Sequence, residues 1–175
     1  RGEVRRGYFV RGLPGLQYAL PEAVESLREW NSPEAAGRDA LVILNACDPA
    51  NVHAWDLIPD ADEAPAEAVA LPTLAAGLAR LPSNYLVLCR GVVVLTYEHG
   101  SGAWRSAPDL GEETLRAALL TALQHLTREG GLCTRPTRVL VNTWNGTPPI
   151  GSAAQPLLER AGFRRDTPAM VWEGR

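Results

Sequence analysis

The first residues alternate. Glu3 to Val10 sets Val4, Tyr8 and Val10 among charged or small neighbours, Gly12, Pro14 and Gly15 mark a turn, and Leu16 to Leu20 returns as a second short run. Alternation broken by a glycine and proline turn predicts a β-hairpin. From Pro21 the period lengthens: Val24, Leu27 and Trp30 line one face of a helix that Asn31, Ser32 and Pro33 stop. Ala40 to Ala46 is an apolar run but for Asn45, with the length of a central strand, and it ends in Cys47, Asp48 and Pro49. Asn51 to Pro72 has no clean period and reads as a surface excursion, with a short helix expected near Thr73 to Arg80.

The pattern sharpens again in the second half. Tyr85 to Cys89 and Val92 to Tyr97 are β-branched or aromatic runs separated only by Arg90 and Gly91, a strong hairpin signal, and Ala103 to Ser106 makes a third strand. Asp109 then caps a helix with Leu115, Leu119, Leu123 and Leu126 on one face, ended by Gly130 and Gly131. Arg138 to Thr143 alternates as a strand into the turn Asn145-Gly146. Ser152 and Gln155 have the spacing of a capping box ahead of Leu157, Leu158 and Ala161, Gly162 with Phe163 fits a helix end, and Ala169 to Trp172 is a last short strand. The fold class expected is α+β, a mainly antiparallel sheet or small β-barrel flanked by about three helices.

Composition narrows the picture. The chain has 175 residues, of which 46% are apolar and 21% charged, enough for one ordinary core, so a single domain over residues 1–175 is expected. No run approaches the roughly 18 apolar residues of a membrane span, so a cytoplasmic protein with no membrane partner is expected. Cys47, Cys89 and Cys133 are odd in number and far apart, which argues against a disulfide framework. The opening at Arg1, with Met170 as the sole methionine, reads as a fragment of a longer polypeptide. All 17 basic residues are arginine, which excludes the phosphate-binding lysine of a P-loop, and no cofactor is expected here. The net charge of −3 is uneven: Arg1, Arg5, Arg6 and Arg11 crowd the start, whereas Asp56, Asp60, Asp62, Glu63 and Glu67 fall together later.

Candidate chemistry follows from these residues. Arg5, Arg6 and Arg11 beside Tyr8 and Phe9 combine backbone-binding charge with stacking surface, the pairing that holds single-stranded DNA or RNA without reading sequence; as core residues and solvated charges they would instead stabilise the fold or dock on a neighbour. Asp48 before Pro49 could be a catalytic carboxylate at a strand end, or a turn carboxylate accepting N–H groups of its own loop. Trp144 beside Asn145-Gly146, and Trp104, could each stack a base or cover the core. His53, His99 and His125 have no metal spacing, and no metal site is assigned.

The run Arg5-Arg6-Gly7-Tyr8-Phe9-Val10, then Gly12-Leu13 and Gln17-Tyr18-Ala19-Leu20-Pro21, resembles the opening of the carboxy-terminal domain of Lhr-type (large helicase-related) helicases. Asp48-Pro49-Ala50-Asn51 after an apolar strand, Leu88 to Glu98, and Asn145-Gly146 through Ala161-Gly162-Phe163 to Thr167-Pro168 are similar to later signatures of that family, while Val52-His53-Ala54-Trp55 departs from its usual loop. The resemblance implies a parent chain with two RecA-like ATPase domains, a winged-helix domain and this accessory module. It also implies 3′-to-5′ translocation on single-stranded DNA, a link to DNA repair, and ATP and magnesium held by the parent domains. Two other functions stay open: a glycosylase-like domain that excises DNA bases, and a purely structural or oligomerisation domain.

Overall fold

The computed structural model describes residues 3–9, 15–32, 40–54, 74–108, 110–127 and 138–173. Its contacts divide the chain into two compact units, one of residues 1–40 and 55–71 and one of residues 41–54 and 72–175. The fold is α+β, and its sheets are open.

In the smaller unit β1 (Arg5–Gly7) and β2 (Gln17–Ala19) pair antiparallel, followed at once by α1 (Pro21–Trp30). Leu20 is still extended, and the ring of Pro21 starts the helix where its missing N–H loses nothing. Asn31 ends α1, its N–H donating to the carbonyls of Leu27 and Arg28. Of the α1 side chains only Val24 is buried.

The larger unit is built on a sheet of five strands in the order β3 (Leu41–Asn45), β4 (Asn84–Cys89), β5 (Val92–Glu98), β6 (Ala103–Ser106) and β8 (Thr143–Trp144). All its pairs are antiparallel except β6 with β8. The β4–β5 turn has positive φ at both Arg90 (53°) and Gly91 (77°), as a two-residue hairpin turn matched to strand twist requires. Asn145 (50°) and Gly146 (80°) repeat that geometry between Trp144 and Thr147.

Helix α2 (Glu112–Thr127) covers one face of this sheet and buries Ala118, Leu119, Ala122, Leu123 and Leu126. Its apolar stripe is the one the leucine spacing predicts, with Leu115 at the margin. Its expected caps, Asp109, Gly130 and Gly131, lie outside the described residues. On the opposite face Leu86, Leu88 and Val93 pack with Leu44, Leu74, Ala75 and Leu78. The helix expected near Thr73 to Arg80 is not formed: Leu74–Gly77 is a turn, with Gly77 at φ 76°.

Strand alternation sends Tyr85, Val87 and Cys89 of β4 toward α2 and Leu86 and Leu88 away. In β5 the register slips between Val87 and Leu88, which face Leu95 and Val93, so Val94 is an extra residue. This β-bulge lets Val94 and Leu95 both join the α2 side.

A second sheet has the order β7 (Arg138–Val141), β10 (Ala169–Glu173), β9 (Arg164–Asp166), all antiparallel. Strands β7 and β8 are consecutive, so the chain leaves one sheet and enters the other across Asn142. Here Gly102 is required: a Cβ on it would lie 2.7 Å from the Asn142 amide nitrogen, which donates to the Ser101 carbonyl. Helix α3 (Gln155–Arg160) starts later than the capping-box spacing predicts. Ser152 Oγ accepts from Ala154, Gln155 Oε1 accepts from Gly151, and the two side chains close the turn that precedes the helix. Its end is as expected, with Gly162 at φ 94° and the Phe163 N–H donating to the Leu158 carbonyl. Strand β9, just beyond, has no apolar alternation to announce it.

An aromatic column crosses the sheet. Tyr97, Trp104 and Trp144 are register neighbours on β5, β6 and β8. Trp104, 0% exposed, stacks on Tyr97 at 4.3 Å between ring centres and lies nearly parallel to Trp144 at 6.3 Å. Its indole N–H donates to the Leu140 carbonyl of the second sheet. The Tyr97 hydroxyl, 2.9 Å from His99 Nδ1, is held neutral by burial and, to a smaller degree, by nearby Tyr85, and its pKa is pushed up from 10.0 to about 12.

Two outcomes follow for stability. Truncation of Leu119 or Leu123 to alanine should destabilise the chain by about 2–5 kcal/mol in denaturant titrations, because both are interior; unchanged midpoints would show that α2 does not pack on this face. For Tyr97 the folded state retains a proton that the unfolded chain gives up near pH 10. Stability should therefore be complete below that pH and decline toward pH 12 by roughly 3 kcal/mol. Tyr97→Phe should remove that slope while keeping the ring stack, and an undiminished slope in the variant would refute the assignment.

Candidate nucleic-acid interface

The hairpin register sorts the arginines of the opening segment. Arg5 faces Ala19, Arg6 faces Tyr18 and Gly7 faces Gln17, so Arg5 and Arg6 project from opposite faces of the ribbon. Arg5 Nη1 lies 2.8 Å from Glu25 Oε1, and the same oxygen takes Arg28 at 3.0 Å. That carboxylate ties β1 to α1 and engages Arg5, whose side chain stays about half exposed. Arg6 has no carboxylate partner among the described residues and lies exposed beside Tyr18.

Tyr18 is 66% exposed and Tyr8 79%. Phe9 folds back, its ring 3.0 Å from where a Gly7 Cβ would stand, and its N–H donates to Gln17 Oε1 at 2.7 Å. Tyr8 and Phe9 line a shallow groove against α1 with Val24, Leu27, Arg28 and Asn31. One guanidinium without a carboxylate partner and two phenol rings thus stand in solvent on a short ribbon, a combination that can meet a phosphate and stack on bases without sequence preference. Arg11, expected with them, lies outside the described residues.

The other candidates sit in the larger unit. Trp144 is 5% exposed and its ring is part of the aromatic column, so it forms core and presents no face to a base; Trp104 likewise. Asp48 Oδ1 accepts the Ala50 N–H at 2.8 Å, and the Asp48 carbonyl accepts from Asn51. The carboxylate therefore closes its own loop, as an Asp-Pro turn does. Asn45 braces that loop by accepting from Cys47 and donating to the Pro82 carbonyl.

Four guanidinium groups of this unit are engaged by carboxylates. Arg105 pairs with Glu98, Arg138 with Asp166 and Glu173, Arg160 with Glu112, and Arg165 with Glu159. Hydrogen bonds from Gln155 and then Arg165 hold the Glu159 carboxyl below its ordinary pKa. His53 Nε2 lies 3.1 Å from the Gly91 carbonyl and the His125 ring meets Tyr85 edge-on. Among the described residues no group of His, Cys, Asp and Glu is arranged to hold a metal ion, and no helix is long and apolar enough to cross a membrane.

Nothing in the sequence singles out Tyr18 beyond its place in a family motif. The hairpin register alone sets it opposite Arg6, and registers depend on the turn between the strands.

No curated protein matches the chain. Residues 1–39, which contain β1, β2 and α1, match the winged-helix domain of the large helicase-related protein, and the matched segment stops at the residue before Ala40, where the first stretch of the smaller unit ends. This amino-terminal segment is thus similar to a winged-helix domain of a helicase-related protein.

Proposed function

We propose that this chain is the accessory module of an ATP-driven 3′-to-5′ DNA helicase serving DNA repair, and that it holds single-stranded nucleic acid on the outer face of the β1–β2 ribbon. The observation that carries the binding reading is the Arg6–Tyr18 pair: a guanidinium with no carboxylate partner among the described residues, set directly across from an exposed phenol ring. The phosphate is met by Arg6, while bases stack on Tyr18 and Tyr8. Arg5, occupied by Glu25, positions the ribbon on α1. Polarity and the repair role rest on family resemblance. ATP and magnesium belong to the parent RecA-like domains, because this chain has no lysine for a P-loop.

Binding of fluorescent oligonucleotides across a salt series tests this reading. Arg6→Ala should flatten the log–log salt dependence by about 0.7, the share of a single phosphate on a single strand. Tyr18→Ala should weaken binding by about 1–3 kcal/mol with the slope retained. Arg5→Ala should act chiefly on the stability of the hairpin. Equal affinities and slopes for the wild type, Arg6→Ala and Tyr18→Ala would remove the ribbon from the binding surface. The purified chain should also hydrolyse no ATP with or without single-stranded DNA, and a DNA-stimulated phosphate release would overturn the division of labour between module and parent.

A further inference from the structure

We propose that the groove between Tyr8, Phe9 and α1 takes one adenine base, unstacked from a single strand. It serves the strand that the ribbon is proposed to hold, and so rests on that reading, to which it adds a preference for one base at one position. The groove lies wholly within the smaller unit. Its volume of about 410 Å³ falls in the range of roughly 300–1,000 Å³ usual for pockets that hold small molecules. Val24, Leu27, Arg28 and Asn31 stand at i, i+3, i+4 and i+7 of the helix and its end and give one wall, and Tyr8 and Phe9 give the other.

The aromatic wall is set in place by the hairpin itself. The Phe9 N–H donates to Gln17 Oε1 at 2.7 Å, and the ring turns back over Gly7, where a Cβ would lie 3.0 Å from it. A residue without a side chain at position 7 leaves the ring that room. Val24, buried, and Leu27, half exposed, supply the apolar surface of the helix wall. Apolar surface beside two aromatic rings is surface on which a base stacks.

The polar groups of the groove select a base over an apolar side chain. The Asn31 carboxamide is exposed, and among the described residues it has no partner. Its Oδ1 and Nδ2 set an acceptor beside a donor, and adenine presents the complement, the N6 amino group beside the N7 acceptor. Arg28 supplies charge: Arg5 and Arg28 share the Glu25 carboxylate, and the three together keep a net positive charge for the phosphate next to the base. The other acids of α1, Glu22 and Glu29, fall with Glu25 on the side of the helix away from Val24, Leu27 and Asn31. An apolar partner would use neither the carboxamide nor the guanidinium.

Fluorescence anisotropy of the full chain with two labelled strands tests this: an oligothymidylate, and the same strand with a single central adenine. The adenine strand should bind about five- to tenfold more tightly, the low end of what a two-bond contact to one base edge contributes. Asn31→Ala should abolish that gain and leave the salt dependence as in the wild type. Gly7→Ala, which displaces the Phe9 ring, should abolish the gain and weaken binding of both strands. If Gly7→Ala loses the hairpin by circular dichroism, Asn31→Ala decides alone, since the replaced side chain is exposed. Equal affinity of the wild type for the two strands overturns the proposal, as does a gain that survives Asn31→Ala. Neither result touches the ribbon, whose own failure is read in Arg6→Ala and Tyr18→Ala, and an adenine gain that persists when those two variants bind like the wild type leaves the groove standing without the ribbon. A chain that binds neither strand overturns both.

Discussion

The indole of Trp104 is the point on which the larger unit turns. It is wholly buried between Tyr97 and Trp144, and its one polar atom reaches across to the Leu140 carbonyl of the second sheet. A buried N–H without a partner is unfavourable, so this bond fixes where the second sheet must stand relative to the ring. Two sheets that share no ladder are thus registered by one side chain, and the chain crossing at Asn142 is held beside it by the close approach to Gly102. Helix α2 lies on the same apolar surface, so its leucines are seated against a wall whose position the indole has set.

Much of this was legible in the sequence because it is written in short-range terms. The α2 stripe, the Arg90-Gly91 and Asn145-Gly146 turns, the Pro21 helix start and the Gly162 helix end each depend on residues a few positions apart. What was not legible depends on distant pairing. The separation into two sheets, the parallel β6–β8 contact and strand β9 arise from partners that only the folded chain brings together. The turn at Leu74–Gly77 shows a local signal overruled, since its Leu74, Ala75 and Leu78 serve to cover Leu86 and Leu88 and need no helix to do so.

The candidate interface divides along the same line. Composition pointed to the arginines and aromatics near the start, and Arg6 and Tyr8 are indeed exposed there. Composition could not say that Arg5 and Arg6, adjacent in the chain, have different fates, since that follows from strand alternation and from one carboxylate on α1. Trp144 illustrates the reverse error. A large aromatic beside a turn looks available, yet pairing with β6 carries it beneath the sheet surface. The smaller unit contrasts with all of this: α1 buries Val24 alone, while Leu20, Leu27 and Trp30 stay in solvent.

The bulge at Val94 makes β5 tolerant of length at one point only. Because Val94 is the residue in excess of the β4 register, a natural shortening by that residue would leave Val93, Leu95, Thr96 and Tyr97 in plain alternation, each on the side it now occupies. Loss of any residue between Leu95 and Tyr97 would instead turn part of the aromatic column outward. Along this hairpin Val94 is the one residue of β5 that the register of its neighbours does not count.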